Sequence, residues 1–230
     1  MFFADAMLDD ELPMVNQAFW SSLIGHVLDD HIDIPGVILD IGCHTGGLLS
    51  ELNARFGTAD LIGIEPLCDA RLAAEKRLAA LSTKVTLLDV SDWDKISSRS
   101  VDLVTCHEVL YLEPVLKDFM SRVHRVLTPN GAAYIVLGGH SENPLWRTWK
   151  LVLTEAGHQV YDHAPLEIME AASSAGFLAS VQPLRRSGWV TYDPRGADFP
   201  YPDVRTMLDH HYRQKLIFRL RIADDRTNTS

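Results

Sequence analysis

Three cysteines in 230 residues, Cys43, Cys68 and Cys106, lie far apart and show no Cys-x-x-Cys spacing. That argues against a disulfide frame or a thiolate zinc site, and fits small buried thiols at strand ends in a reducing, cytoplasmic compartment. No apolar run reaches the length that spans a bilayer, so no membrane is expected. Met1-Phe2-Phe3 is followed at once by acids, unlike a secretory leader. Basic charge is in deficit: 21 Lys and Arg stand against 31 Asp and Glu, for a net charge of −10. A surface of that sign repels phosphate backbones, which argues against nucleic acid as a partner. Arg185-Arg186 is the nearest approach to a basic cluster. Repeats and low-complexity tracts are missing too. So is metal-ligand spacing: His158, His163 and the His210-His211 pair share none and read as surface or cap residues. No Asp/Asn trio suggests a magnesium site, so no metal is expected.

What is present is a regular alternation. A chain of this length makes one domain, with room for an elaborated cap. Strands read as Val37–Asp40, Leu61–Ile64, Val85–Leu88, Val101–Cys106 and Ala132–Leu137. Helices fall near Gly47–Phe56, Cys68–Leu81 and Pro114–Leu127, and an amphipathic helix runs from about Pro13 to His31. Apolar runs separated by such helices imply an α/β fold with a parallel sheet buried on both faces. The turn Thr128-Pro129-Asn130-Gly131 is expected to stop one helix and start the fifth strand. Beyond Gly138 come helices near Pro144–Ala156 and Pro165–Ala175, a strand from Phe177, and a loop over Gly188–Pro202. A short helix around Asp203–Tyr212, a last strand Lys215–Ile222 and a flexible tail over 223–230 complete the reading.

The most informative stretch is Val37-Ile38-Leu39-Asp40-Ile41-Gly42-Cys43-His44-Thr45-Gly46. It reads as a buried strand delivering a tight turn into a helix, with glycines that admit positive φ and let a ligand approach backbone. Asp40 at the strand end suits a ligand with positive charge and does not suit a pyrophosphate, which points away from NAD. Glu65 ends the second strand, 19 residues past Gly46. Parallel neighbours bring their carboxyl ends together, so an acid there can accept both ribose hydroxyls.

This pattern resembles motif I of the class I S-adenosylmethionine (SAM)-dependent methyltransferases, acid-x-Gly-x-Gly-x-Gly, with His44 where the middle Gly usually falls. The resemblance covers residues 36–138 well. It implies SAM as cofactor and a three-layer Rossmann-like sandwich whose seven-stranded sheet is mostly parallel, with the last strand antiparallel. It also implies that helical cap segments (1–35, 139–163 and 190–212) cover a small-molecule acceptor. Asp40, Gly42, Cys43, His44 and Gly46 would then surround the methionine end, and Glu65-Pro66 the ribose. Asp89 would accept the adenine amino group, with the Val90 amide on a ring nitrogen and an apolar slot walled by Leu67 and Val90. Cys106 and His107 would lie near the transferring methyl. His107 is the first candidate general base, since an imidazole of pKa about 6.5 takes protons near neutrality. His140, after Gly138-Gly139, is the second. Glu108 is expected to cap the next helix, His124 to be scaffold, and Trp146 and Trp149 to be core.

The expected activity is methyl transfer from SAM to oxygen or nitrogen of a small molecule. Alternatives are a methyltransferase acting on protein or peptide, and a SAM-binding module without catalysis. An exposed N-terminal helix would leave a homodimer open.

Overall fold

The computed structural model describes residues 13–30, 34–186, 188–190 and 201–223. The first twelve residues of the expected N-terminal cap, positions 191–200 of the expected loop and the tail from 224 lie outside the described residues. Helix α1 (Pro13–Asp29) precedes β1 (Val37–Ile41), α2 (Gly47–Phe56), β2 (Asp60–Ile64), α3 (Cys68–Leu78) and β3 (Val85–Leu88). There follow β4 (Val101–His107), α4 (Leu116–Val126), β5 (Leu127–Leu137), α5 (Trp146–Glu155) and α6 (Pro165–Ser174). Strand β6 (Phe177–Pro183), helix α7 (Val204–Asp209) and strand β7 (Leu216–Ile222) end the order.

The seven strands lie in the order β3-β2-β1-β4-β5-β7-β6. Strands β1 to β5 are parallel, while β7 runs antiparallel to both β5 and β6. Successive side chains on a strand point to opposite faces, and the core splits accordingly. Ile38 packs with Phe19 and Leu23 of α1 and Leu48, Leu49 and Leu52 of α2. Leu39 and Ile41 pack with Phe119, Met120 and Val123 of α4, Trp146 of α5 and Ile168 of α6. Three layers result, as the family resemblance implied. Trp146, Trp149 and His124, whose ring meets Phe177 at 5.1 Å, are structural as expected.

The chain leaves β1 in one direction to lay down β2 and β3, then returns to place β4 on the other side of β1. That reversal opens a crevice at the carboxyl ends of β1 and β4, the usual ligand position in open α/β sheets.

Several expectations need correction. The N-terminal helix is not an exposed pairing surface: Phe19, Leu23, Ile24 and Val27 are buried against the sheet. Thr128–Gly131 does not separate a helix from a strand, because β5 already begins at Leu127. Val101 pairs with Leu127 and Leu103 with Ala132, so the four residues form a bulge inside the ladder. Asp102 fixes this end: its carboxylate accepts the amides of Gly36 (2.9 Å) and Val37 (3.1 Å) and the Thr128 hydroxyl (3.1 Å). Cys68 is exposed, whereas Cys43 and Cys106 are buried.

Replacing Asp102 strands those donors at the amino edge, away from the crevice. Asp102→Ala is expected to cost about 1–3 kcal/mol, read as a lower urea midpoint with unchanged slope.

Candidate active site

Past β1 the backbone enters the left-handed region three times, at Gly42 (φ 75°), His44 (φ 47°) and Gly46 (φ 80°). A Cβ on Gly42 would sit 2.2 Å from Val109 Cγ2, so both the conformation and the space demand glycine there. His44 tolerates its conformation as one of the residue types enriched at positive φ. The amides of Gly42 and Cys43 donate to the Ile64 carbonyl at 2.8 and 3.1 Å, and the Gly46 amide to Cys43 O at 2.8 Å. Those bonds occupy the Cys43 backbone within the turn, and its thiol is buried.

Glu65 ties the turn to the next strand end. One carboxylate oxygen accepts the His44 amide and the other the Leu67 amide, each at 3.0 Å. Each oxygen keeps a further lone pair. Asp40 is buried beside it and accepts the Thr105 hydroxyl at 2.7 Å. Arg71 donates to the Glu65 carbonyl and, at 3.0 Å, to Asp89 Oδ2. Asp89 Oδ1 accepts the Ser91 amide (2.9 Å) and hydroxyl (2.8 Å), capping the 3₁₀ turn Val90–Lys95. Those bonds, with the Arg71 charge added, hold the Asp89 carboxyl below its usual range. Leu67 and Val90, which follow the ends of β2 and β3, leave 41% and 40% of their surface exposed. Pro66 is exposed between Glu65 and Leu67. Parallel register thus sets Asp40, Glu65 and Asp89 on one edge.

On the far side of the crevice β4 ends at His107, half-buried, its ring 6.3 Å from Phe19. Cys106 is fully buried in the core, and burial with the Asp40, Glu113 and Glu108 charges raises its thiol pKa. Glu108 does not cap a helix. At φ 56° its carboxylate turns to accept the Gly138 amide at 2.9 Å and pairs with Lys215 Nζ at 2.6 Å. Burial alone would raise its pKa, but the Lys215 and His107 charges and the two hydrogen bonds outweigh it and bring it to about 2. Lys215 also lies 3.8 Å over the Phe19 ring.

His140 is buried, its Nε2 2.7 Å from the Gln214 carbonyl. A carbonyl only accepts, so Nε2 carries the proton and Nδ1 the lone pair. Nδ1 has no partner among the described residues. Asn143 donates to Gly138 O at 2.6 Å and accepts the Leu145 amide at 3.0 Å, holding the turn that carries His140. His163, His210 and His211 are buried. His210 packs edge-on to Trp149 and His211 stacks on Phe19 at 5.3 Å. Sequence reasoning missed Phe19, Asn143, Arg186 and Lys215 here. The Asn143-Pro144 turn signal and the position of Lys215 ahead of an antiparallel strand were the available clues. Among the described residues no group of His, Cys, Asp or Glu could hold a metal.

Residues 39–133 match the family model described as a methyltransferase domain. A trans-aconitate 2-methyltransferase of Variovorax paradoxus (strain S110) is 26% identical over 119 residues, 52% of this chain and 45% of that protein. One of Paracidovorax citrulli (strain AAC00-1) is 23% identical over 206 residues, 72% of this chain and 78% of that protein. The chain thus spans about half the length of the first relative. Among solved structures, the Haloferax volcanii methyltransferase in complex with the Trm112 methyltransferase activator superposes with TM-score 0.76 at 19% identity, covering 99% of this chain and 98% of that one. Geranyl diphosphate C-methyltransferase from Streptomyces coelicolor A3(2), bound to S-adenosyl-L-homocysteine, gives TM-score 0.65 at 16% identity, covering 88% and 79%. These structural likenesses show the fold.

The depressed Glu108 pKa has a signed consequence. Its stabilisation is present above the carboxylate's ordinary pKa and is lost as pH falls from about 5 through about 2. Glu108→Gln is expected to lower stability at pH 7 by about 3 kcal/mol and to make no difference below pH 2, measured by urea unfolding across pH.

Proposed function

We infer that this chain is a class I SAM-dependent methyltransferase and moves a methyl group from SAM to an oxygen or nitrogen of a small-molecule acceptor. The observation that carries the reading is the edge where Asp40, Glu65 and Asp89 follow one another around a turn with no room for a Cβ at Gly42. The residues present fit SAM. Asp40 supplies negative charge for the ammonium end, beside the backbone of Gly42, Cys43, His44 and Gly46. The remaining lone pairs of Glu65 face the ribose, next to Pro66. Asp89 keeps one lone pair on Oδ2 for an adenine amino group, and Leu67 and Val90 flank the ring.

When bound, SAM supplies an activated methyl electrophile. The protein's part is to hold acceptor, methyl carbon and sulfur in line, a contribution on the order of 7–11 kcal/mol from positioning. Where the acceptor carries a proton, a base adds roughly 10²–10⁴-fold. His107, with the backbone of Cys106, ends β4 beside the methionine end in this reading. His140 offers an Nδ1 lone pair in a tautomer fixed by Gln214. In this reading α1, residues 139–163 and the segment 190–212 cap the acceptor, as suits a small molecule better than a peptide. Among the described residues no helix is long and apolar enough to cross a membrane. Three free cysteines fit the cytoplasm.

Isothermal titration is expected to show SAM binding, weakened tenfold or more (about 1.4 kcal/mol) in Asp40→Ala and Glu65→Ala variants that still unfold cooperatively. Unchanged affinity in both refutes the site. Label from SAM should pass to an acceptor in a small-molecule extract, with trans-aconitate assayed first on the strength of the curated relatives. Binding without transfer would mark a non-catalytic module. Of His107→Ala and His140→Ala, the variant that loses kcat by a hundredfold or more at similar KM identifies the base.

A further inference from the structure

We propose that Arg186, with Tyr201 as a second donor, binds a carboxylate group of the methyl acceptor. The proposal rests on the methyltransferase reading and adds the chemical class of what enters the acceptor side.

Arg186 follows the end of β6, and its guanidinium lies 5.0 Å from the centre of the Phe19 ring. The same ring is the neighbour of His107, so Arg186 and the end of β4 flank one aromatic side chain. Four cationic or imidazole groups thus meet on Phe19: His107, Arg186, His211 and Lys215. Lys215 has its counter-ion in Glu108. Among the described residues, no carboxylate pairs with Arg186, although the whole chain carries ten more acids than bases. An arginine stays charged at any ordinary pH. Half-buried with an aromatic face beside it, this one has no anion among the described residues.

Its hydrogen bonds show which donors remain. Nη1 is 2.5 Å from His211 Nδ1 and Nη2 is 3.4 Å from the Trp189 carbonyl. Nε is buried and has no partner among the described residues. His211 is neutral, since burial, with Arg186 and Lys215 nearby, lowers its pKa to about 3. Arg186 can only donate, so His211 Nδ1 accepts and Nε2 carries the proton. Nε2 faces the Tyr201 hydroxyl at 3.4 Å, which leaves the Tyr201 O–H free to donate elsewhere. Burial keeps that phenol protonated, its pKa raised to about 12. The resulting array offers Nε–H and one further guanidinium N–H along one planar edge, with a phenol beside it. That edge matches the two oxygens of a carboxylate. A dianionic phosphate would need a second unpaired cation, and Lys215 is already engaged.

The test is calorimetry on the full chain saturated with S-adenosylhomocysteine. It is titrated with benzoate, succinate and citrate, with their neutral methyl esters, and with inorganic phosphate. At least one carboxylate should bind tenfold or more tightly than its ester and than phosphate. Arg186→Gln should lose that preference with S-adenosylhomocysteine affinity unchanged, Arg186→Lys should recover part of it, and Tyr201→Phe should weaken binding a few-fold. Equal binding of acid and ester, binding of none of the carboxylates, tighter binding of phosphate, or an unaffected Arg186→Gln variant would overturn the proposal. Failure of the wild-type chain to bind S-adenosylhomocysteine would instead overturn the methyltransferase reading on which it rests.

Discussion

Two hydrogen bonds from backbone to one side chain hold the crevice in shape. Glu65 takes the amide of His44 on one oxygen and that of Leu67 on the other, joining the turn after β1 to the turn after β2. Neither amide has a place in a helix or a ladder, so without the carboxylate both would be unsatisfied beside a buried wall. The turn needs this anchor because three of its residues sit at positive φ, where no regular hydrogen-bonding pattern supports them. Arg71 extends the arrangement to the third strand by reaching both the Glu65 carbonyl and Asp89. The edge that carries Asp40, Glu65 and Asp89 is therefore held together by bonding across the strand ends.

The opposite side of the crevice is organised around Phe19. Helix α1 lays this ring between the end of β4 and the residue ahead of β7, and Leu23, Ile24 and Val27 of the same helix join it in the core. Glu108 and Lys215 lock the same region electrostatically, the carboxylate at the carboxyl end of β4 and the ammonium just ahead of β7. Partly buried pairs of this kind are costly to break from one side, because the remaining charge keeps its desolvation cost without its partner. Burial and the nearby cations hold His210 and His211 neutral, and the Lys215 charge is already matched by Glu108.

The parallel part of the fold was readable because it is written locally. Val37–Asp40, Leu61–Ile64 and Val85–Leu88 are apolar runs between helical patterns, and each ends within a residue of its observed boundary. Asp40, Glu65 and Asp89 followed from strand ends alone, since parallel strands bring those ends to one edge. What depends on non-local register was hidden. Lys215 reaches the crevice because β7 runs backwards, so its first residues and not its last lie at that edge. Thr128–Gly131 looks like a terminating turn in sequence, and only pairing with β4 reveals a bulge. Glu108 gave no sign that it would bond Gly138 and Lys215, and the His210-His211 pair no sign of its burial under the cap.

The uneven exposure of the three thiols has a practical side. Cys43 and Cys106 are shut away, and burial with nearby Asp40 raises their pKa values, so neither forms a thiolate readily. Cys68 opens α3 on the surface, three residues from Glu65. A maleimide dye would therefore attach at that one place without mutagenesis. The native chain comes with its own attachment point for a fluorophore, three residues from the carboxylate that joins the first two strand ends.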